Sequence, residues 1–192
     1  MREVTLQELK QMARAAYNDL WDSARSMGRD VKLYLHWTAG NYDQTFSDYH
    51  INITGDGRVY MSTDNLAEVK AATSMRNTGS IAIALCCALD ATGTDNLGPC
   101  PPTETQLNAI AQVVCVLADA LDLTIDLQRV MTHAEAADNK DGLWCRDPYG
   151  PDSTVERWDL LVVHEGDARW SGGDVLRGNA NWYRAQGLMR DI

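Results

Sequence analysis

KLYLHWTAG, residues Lys32–Gly40, is an apolar and aromatic run that carries a histidine near its end and breaks at once into Thr-Ala-Gly. Its content reads as a buried strand. His36 is then either a core residue with a satisfied ring or a ligand presented from a rigid support. A second run, TIDLQRVMTH (Thr124–His133), reads as a short strand that ends on another histidine in the same way. Between them, GSIAIALCCAL (Gly79–Leu89) is suited to a central strand covered on both faces. DYHINITGDGRVYM (Asp48–Met61) alternates on either side of Gly55, Asp56 and Gly57, the pattern of a hairpin.

Helices fill the intervals. Thr5 and Glu8 form a capping-box pattern that opens a helix over 5–27, with Gly28 as its stop. The clearest helix follows Pro101-Pro102, where Thr103 and Gln106 form the cap. Leu107, Ile110, Val114, Leu117 and Leu121 then recur at helical spacing. Residues 134–156 are polar and turn-rich and read as a loop, ERWDLLVV (Glu156–Val163) starts a short helix, and a last helix spans about 173–188. Alternating strands and helices give an α/β class with a central mixed sheet flanked by helices. We expect one domain over 1–192, with a core from 30 to 162 on which the two terminal helices pack.

Composition narrows the function. A length of 192 residues suits one packed domain, and 45% hydrophobic with 23% charged residues is the balance of a globular chain. A formal net charge of -10 argues against a nucleic-acid partner, which requires cationic surface. No apolar run approaches the ~20 residues of a membrane span, so membrane insertion is not expected. The first residues lack the pattern of a signal peptide, which points to synthesis in the cytoplasm. Of the five cysteines, Cys86, Cys87 and Cys115 sit in apolar patterns and are expected as buried thiols, and no CxxC pair suggests a four-cysteine zinc site.

Imidazole is a common metal ligand, and two histidines in equivalent settings at strand ends strengthen the ligand reading over the structural one. Here the chain resembles a family. LHWTAG, YHINITGDGRVY, NTGSIAIAL, MTHAEA and RWD follow one another in the order seen in zinc-dependent N-acetylmuramoyl-L-alanine amidases, from about Lys32 to Asp159. This is the amidase-2 family, which shares its fold with the peptidoglycan recognition proteins. The similarity is greatest to phage and prophage amidases, whose last segment also reads like SGGDVLRGNANWY (Ser171–Tyr183).

The resemblance implies one Zn2+ per chain, held by His36, His133 and Asp159. It places Tyr49 beside the metal-bound water and Arg157 at the family's basic position. Such a three-ligand site leaves a fourth position for water, whose pKa zinc lowers to roughly 7. Tyr49 is then expected to orient the water or help move its proton, and Arg157 to stabilise the oxyanion. Cys145 is the rival third ligand, since a thiolate binds zinc well; Asp147 and the pair His164-Glu165 are weaker candidates. Thr38, His50, Arg76 and Asn77 are candidate substrate contacts, with His50 leaning towards a structural role because it alternates away from Tyr49. Trp37 is expected in the core, whereas Trp144, Tyr149 and Trp158 either line a groove or cover the core edge.

Two departures stand out. Cellular relatives often carry a general-base glutamate in the strand where this chain has Ala84, and the usual lysine is Arg157, which holds its charge and cannot act as a proton donor. The implied reaction is hydrolysis of the bond between N-acetylmuramic acid and L-alanine in peptidoglycan or a muropeptide. The expected setting is a monomeric phage-type endolysin that reaches the cell wall after holin-mediated release. A muropeptide-recycling or effector amidase and a non-catalytic peptidoglycan-binding module are the alternatives.

Overall fold

The computed structural model describes residues 1–143 and 157–192. Six strands form one mixed sheet: β1 (Arg2–Val4), β2 (Lys32–Trp37), β3 (Ile51–Ile53), β4 (Val59–Met61), β5 (Ser80–Leu85) and β6 (Val130–Thr132), in the order β1-β4-β3-β5-β2-β6. β5 lies between β3 and β2, parallel to both, and β6 runs parallel to β2 on its other side. The hairpin supplies the antiparallel part, and β1 extends it along the outer edge of β4. Lys32–Trp37 is thus a central strand, buried at every position.

Strand periodicity sorts the side chains into two faces. Leu33, Leu35, Trp37, Ile51, Ile53, Ile81, Ile83 and Leu85 belong to the main apolar core, against which α3 (Glu104–Ala120) packs. The Gln106 side chain fixes that helix by donating to the carbonyls of Ile53 and Cys86. The apolar residues expected along the helix are all buried. The opposite face carries Tyr34, His36, Ala82 and Ala84, with Tyr34, Met131 and Ala136 forming a separate small cluster. His36 lies opposite Ala84, which lies opposite Asn52, so these three form one row across the sheet.

Several expectations need correction. The helix expected over 5–27 is two helices, α1 (Leu6–Ala15) and α2 (Tyr17–Ser26), which meet at Ala16 without any Gly or Pro to signal the break. Its Thr5–Glu8 capping box is formed, and Gly28 adopts a left-handed φ of +69 just past the end. Residues expected to open a loop form α4 (His133–Ala137), because Thr132 and Glu135 make a further capping box. Residues 157–163 do not form the expected short helix; they run irregularly, with 158–163 buried. The chain ends in α5 (Ser171–Gln186) and α6 (Leu188–Asp191). No helix among the described residues is long and apolar enough to cross a membrane.

Candidate functional site

Three segments converge at the carboxyl end of β2. His36, the penultimate residue of that strand, is fully buried. His133 is the first residue of α4, directly after β6, so the strand that pairs with β2 delivers the second imidazole beside the first. Their ring centroids lie 4.7 Å apart, close to edge-on. Asp159 enters from the irregular segment. Its Oδ2 is 3.2 Å from His36 Nδ1 and 3.5 Å from His133 Nδ1.

The electrostatics of the three groups are coupled. Burial is the largest influence on His36 and lowers its pKa to about 4, despite the hydrogen bond to Asp159, which acts in the opposite sense. The ring is therefore neutral at pH 7, the form in which imidazole binds metals. Burial alone would raise the Asp159 pKa. Hydrogen bonds from His133 and His36, with their nearby charge, outweigh it and hold the carboxyl well below the usual carboxylate range. Two imidazoles and one carboxylate thus lie side by side in a buried pocket.

This donor set fits a zinc ion. The three donor atoms all lie within 4.8 Å of one another, and all three residues are buried. Ligands about 2.0–2.2 Å from one tetrahedral ion stand about 3.4 Å apart, and the two histidine–aspartate separations of 3.2 and 3.5 Å bracket that figure.

The site opens into a cleft of about 360 Å³ whose walls include Thr38, Tyr49, His133, Arg157, Trp158 and Asp159. The Tyr49 ring lies 5.1 Å from that of His36, and its hydroxyl donates a long 3.4 Å bond to the Trp37 carbonyl. Burial, followed by the Asp159 charge, raises its pKa, so the hydroxyl keeps its proton at neutral pH. Trp158 packs edge-on against Trp37 at 4.7 Å, which fixes the backbone next to Asp159. Thr38 Oγ1 is buried and has no hydrogen-bond partner among the described residues.

The profile of the N-acetylmuramoyl-L-alanine amidase (amidase-2) family matches residues 25–148. The chain belongs to this family. The match covers the amidase's His36, Tyr49 and His133 and ends before Arg157 and Asp159. Two solved structures are similar in part. The endolysine N-acetylmuramoyl-L-alanine amidase LysCS from Clostridium intestinale URNW is 16% identical with a TM-score of 0.41, covering 55% of this chain and 69% of that one. The Ph2119 endolysin from the Thermus scotoductus MAT2119 bacteriophage Ph2119 is 21% identical with a TM-score of 0.39, covering 54% of this chain and 71% of that one. No curated protein sequence matches the amidase.

Other candidate residues of the amidase lie away from the cleft. His50 is buried between backbones: its Nδ1 accepts from the Ala82 N–H at 3.0 Å and its Nε2 donates to the Glu68 carbonyl at 2.7 Å. Arg76, 1% exposed, is spent on Asp141, Asn139 and the Leu143 carbonyl. Asn77 accepts from the N–H groups of Ala72 and Thr73 and so shapes a loop. These three therefore serve the framework and not the cleft wall. His164 is an exposed turn residue beside Glu104 and Asp167, and Glu165 accepts from the Leu97 N–H. Cys145, together with Trp144, Asp147 and Tyr149, lies outside the described residues.

Two contacts were not anticipated from the sequence. Thr73 Oγ1 sits 3.2 Å from His36 Nε2: it donates to that nitrogen while Nδ1–H bonds Asp159, and accepts the Nε2–H when Nδ1 offers its lone pair to a metal. Nothing local in the sequence marks it, because it reaches His36 across 37 positions. Glu135, which caps α4 from inside, was legible in principle: Thr132–Glu135 has the same spacing as the two capping boxes that were read.

Proposed function

We propose that this amidase is zinc-dependent and hydrolyses the amide between the lactyl group of N-acetylmuramic acid and L-alanine. The observation that carries the reading is the convergence of His36, His133 and Asp159, the last two of which line the cleft. In this reading these three residues hold one Zn2+, their single negative charge leaving the bound ion with a net positive charge. When bound, the ion supplies Lewis acidity, polarising the carbonyl under attack and bringing the acidity of water near neutrality.

The remaining roles belong to the cleft wall. Tyr49, protonated and braced against His36, is a hydrogen-bond donor that orients the attacking water or the carbonyl, and its raised pKa makes it unsuited to act as an anionic base. Arg157 lines the same cleft and places a fixed cation where negative charge develops on the carbonyl oxygen. The Thr38 hydroxyl, a buried group with no partner among the described residues, is available to a polar atom of the substrate. Ala84, opposite His36 and fully buried, brings no carboxylate to the row where relatives carry a general base.

The Ser171–Tyr183 segment supports the phage-type reading: an endolysin that reaches the wall after holin-mediated release and acts as a monomer. Mass spectrometry of digested sacculi tests the reaction. New L-alanine amino termini that disappear on chelation are expected. New reducing sugar ends, or solubilisation that chelation leaves unchanged, would refute the reading.

A further inference from the structure

The three proposed ligands are held very unequally by their own elements. His36 sits in a six-residue strand paired on both sides, whereas His133 opens a five-residue helix and Asp159 lies in a segment without regular structure. The start of α5 packs against the segments that carry the second and third ligands. There the Gly172 N–H donates to the Leu161 carbonyl at 3.1 Å. A Cβ at position 172 would stand 1.9 Å from the Leu160 carbonyl oxygen, the residue after Asp159. A Cβ at position 173 would stand 2.3 Å from Glu135 Oε1, two residues after His133. The two glycines let one helix turn press on both ligand segments.

Arg177, one turn further along, ties the contact together. Its Nη1 donates to the Val130 carbonyl at 2.9 Å and to Glu135 Oε2 at 2.8 Å, and its Nη2 donates to Glu135 Oε1 and Asp174 Oδ1, both at 2.8 Å. Glu135 Oε2 also accepts the Thr132 N–H at 2.9 Å. The guanidinium therefore joins the strand before His133, the cap of its helix and α5. The Ala134 N–H, 3.4 Å from the Asp159 carbonyl, joins the two ligand segments to each other. Both side chains of the ion pair are buried, Glu135 at 4% and Arg177 at 7% exposure. A planar fork with several donors can fix direction as well as distance, which a lysine in the same place cannot.

We propose that Arg177 and Glu135 are positioning residues for the metal site: through them, α5 sets the placement of His133 and Asp159 and thereby the zinc affinity. The inference rests on the zinc reading above. It adds that part of the machinery lies in a helix beyond residues 25–148, the segment the family profile matches.

Zinc affinity, measured by competition with a chromophoric chelator, tests it on wild type, Arg177→Lys, Glu135→Gln and Leu9→Ala, with folding checked by circular dichroism. Glu135→Gln keeps an oxygen for the Thr132 N–H, so it provides a folded variant even where Arg177→Lys disrupts the core. Leu9→Ala, a cavity in the buried face of α1, lowers stability without touching the clamp. Folded Arg177→Lys and Glu135→Gln are expected to bind zinc about 10–100-fold more weakly, while Leu9→Ala matches wild type. Wild-type affinity in both clamp variants, or an equal loss in Leu9→Ala, would overturn the positioning role alone. A wild-type chain that takes up no zinc would overturn the zinc reading and this inference with it.

Discussion

Replacing His50 by Asn should flatten the response of this protein to acid. His50 lies on β3's approach to the sheet, 1% exposed, with its Nδ1 accepting from Ala82 and its Nε2 donating to Glu68. A second proton would place an N–H against the Ala82 N–H inside the core. Burial is the main reason that the His50 pKa falls to about 4 from 6.5, opposed by the hydrogen bond to Glu68. Between these two values the unfolded chain takes up a proton that the folded chain refuses. The stability from His50 is thus complete above pH 6.5 and lost as pH falls towards 4. At about 1.4 kcal/mol per pH unit, the loss is about 3 kcal/mol.

Asn retains an acceptor for Ala82 and has nothing to protonate. Urea unfolding at pH intervals from 7.5 to 4, on chelator-treated protein, isolates the effect because His36 contributes equally to both chains. At pH 7.5 the variant should be less stable, having lost the bond to Glu68 and some packing. Its deficit should then shrink by about 3 kcal/mol by pH 4. Parallel profiles for the two proteins would show that His50 does not resist protonation, and the reasoning from its two backbone contacts would fail.

Two further substitutions separate roles within the site from roles in the framework. Tyr49→Phe should lower kcat about 10²-fold while zinc content stays unchanged; full turnover would reduce Tyr49 to packing beside His36. Arg76→Ala should cost about 3–5 kcal/mol, or about 10 °C in Tm, because it leaves the Asp141 side chain buried at 0% exposure without its partner. An unchanged Tm with a raised KM would instead make Arg76 a substrate contact.

The parts of this fold that were legible in the sequence are those governed by short-range rules. Lys32–Trp37 reads as a buried strand from its apolar and aromatic content and Ser80–Leu85 as a central one from its unbroken apolar run, and α3 announces itself by its cap and its spacing. β1 was not legible: three residues carry no period, and the strand exists only because β4 offers an edge. The break at Ala16 likewise has no breaker residue to mark it. His133 reads as the end of a strand, yet it is the first residue of a helix, because the Thr132–Glu135 capping box starts α4 within a polar stretch. Within the site, pattern alone suggested only that two histidines shared a setting. The family resemblance supplied Asp159, Tyr49 and Arg157, which the fold brings to one cleft. Thr73 and Arg177 stayed invisible because their partners, His36 and Glu135, lie far away in the chain.

The central claim is that His36, His133 and Asp159 hold a catalytic zinc, and metal content tests it most directly. Elemental analysis of purified protein after dialysis should find about one zinc per wild-type chain, about one in Cys145→Ser and essentially none in Asp159→Ala. A wild-type chain that cleaves peptidoglycan without metal would contradict the claim. So would zinc retained by Asp159→Ala and lost from Cys145→Ser.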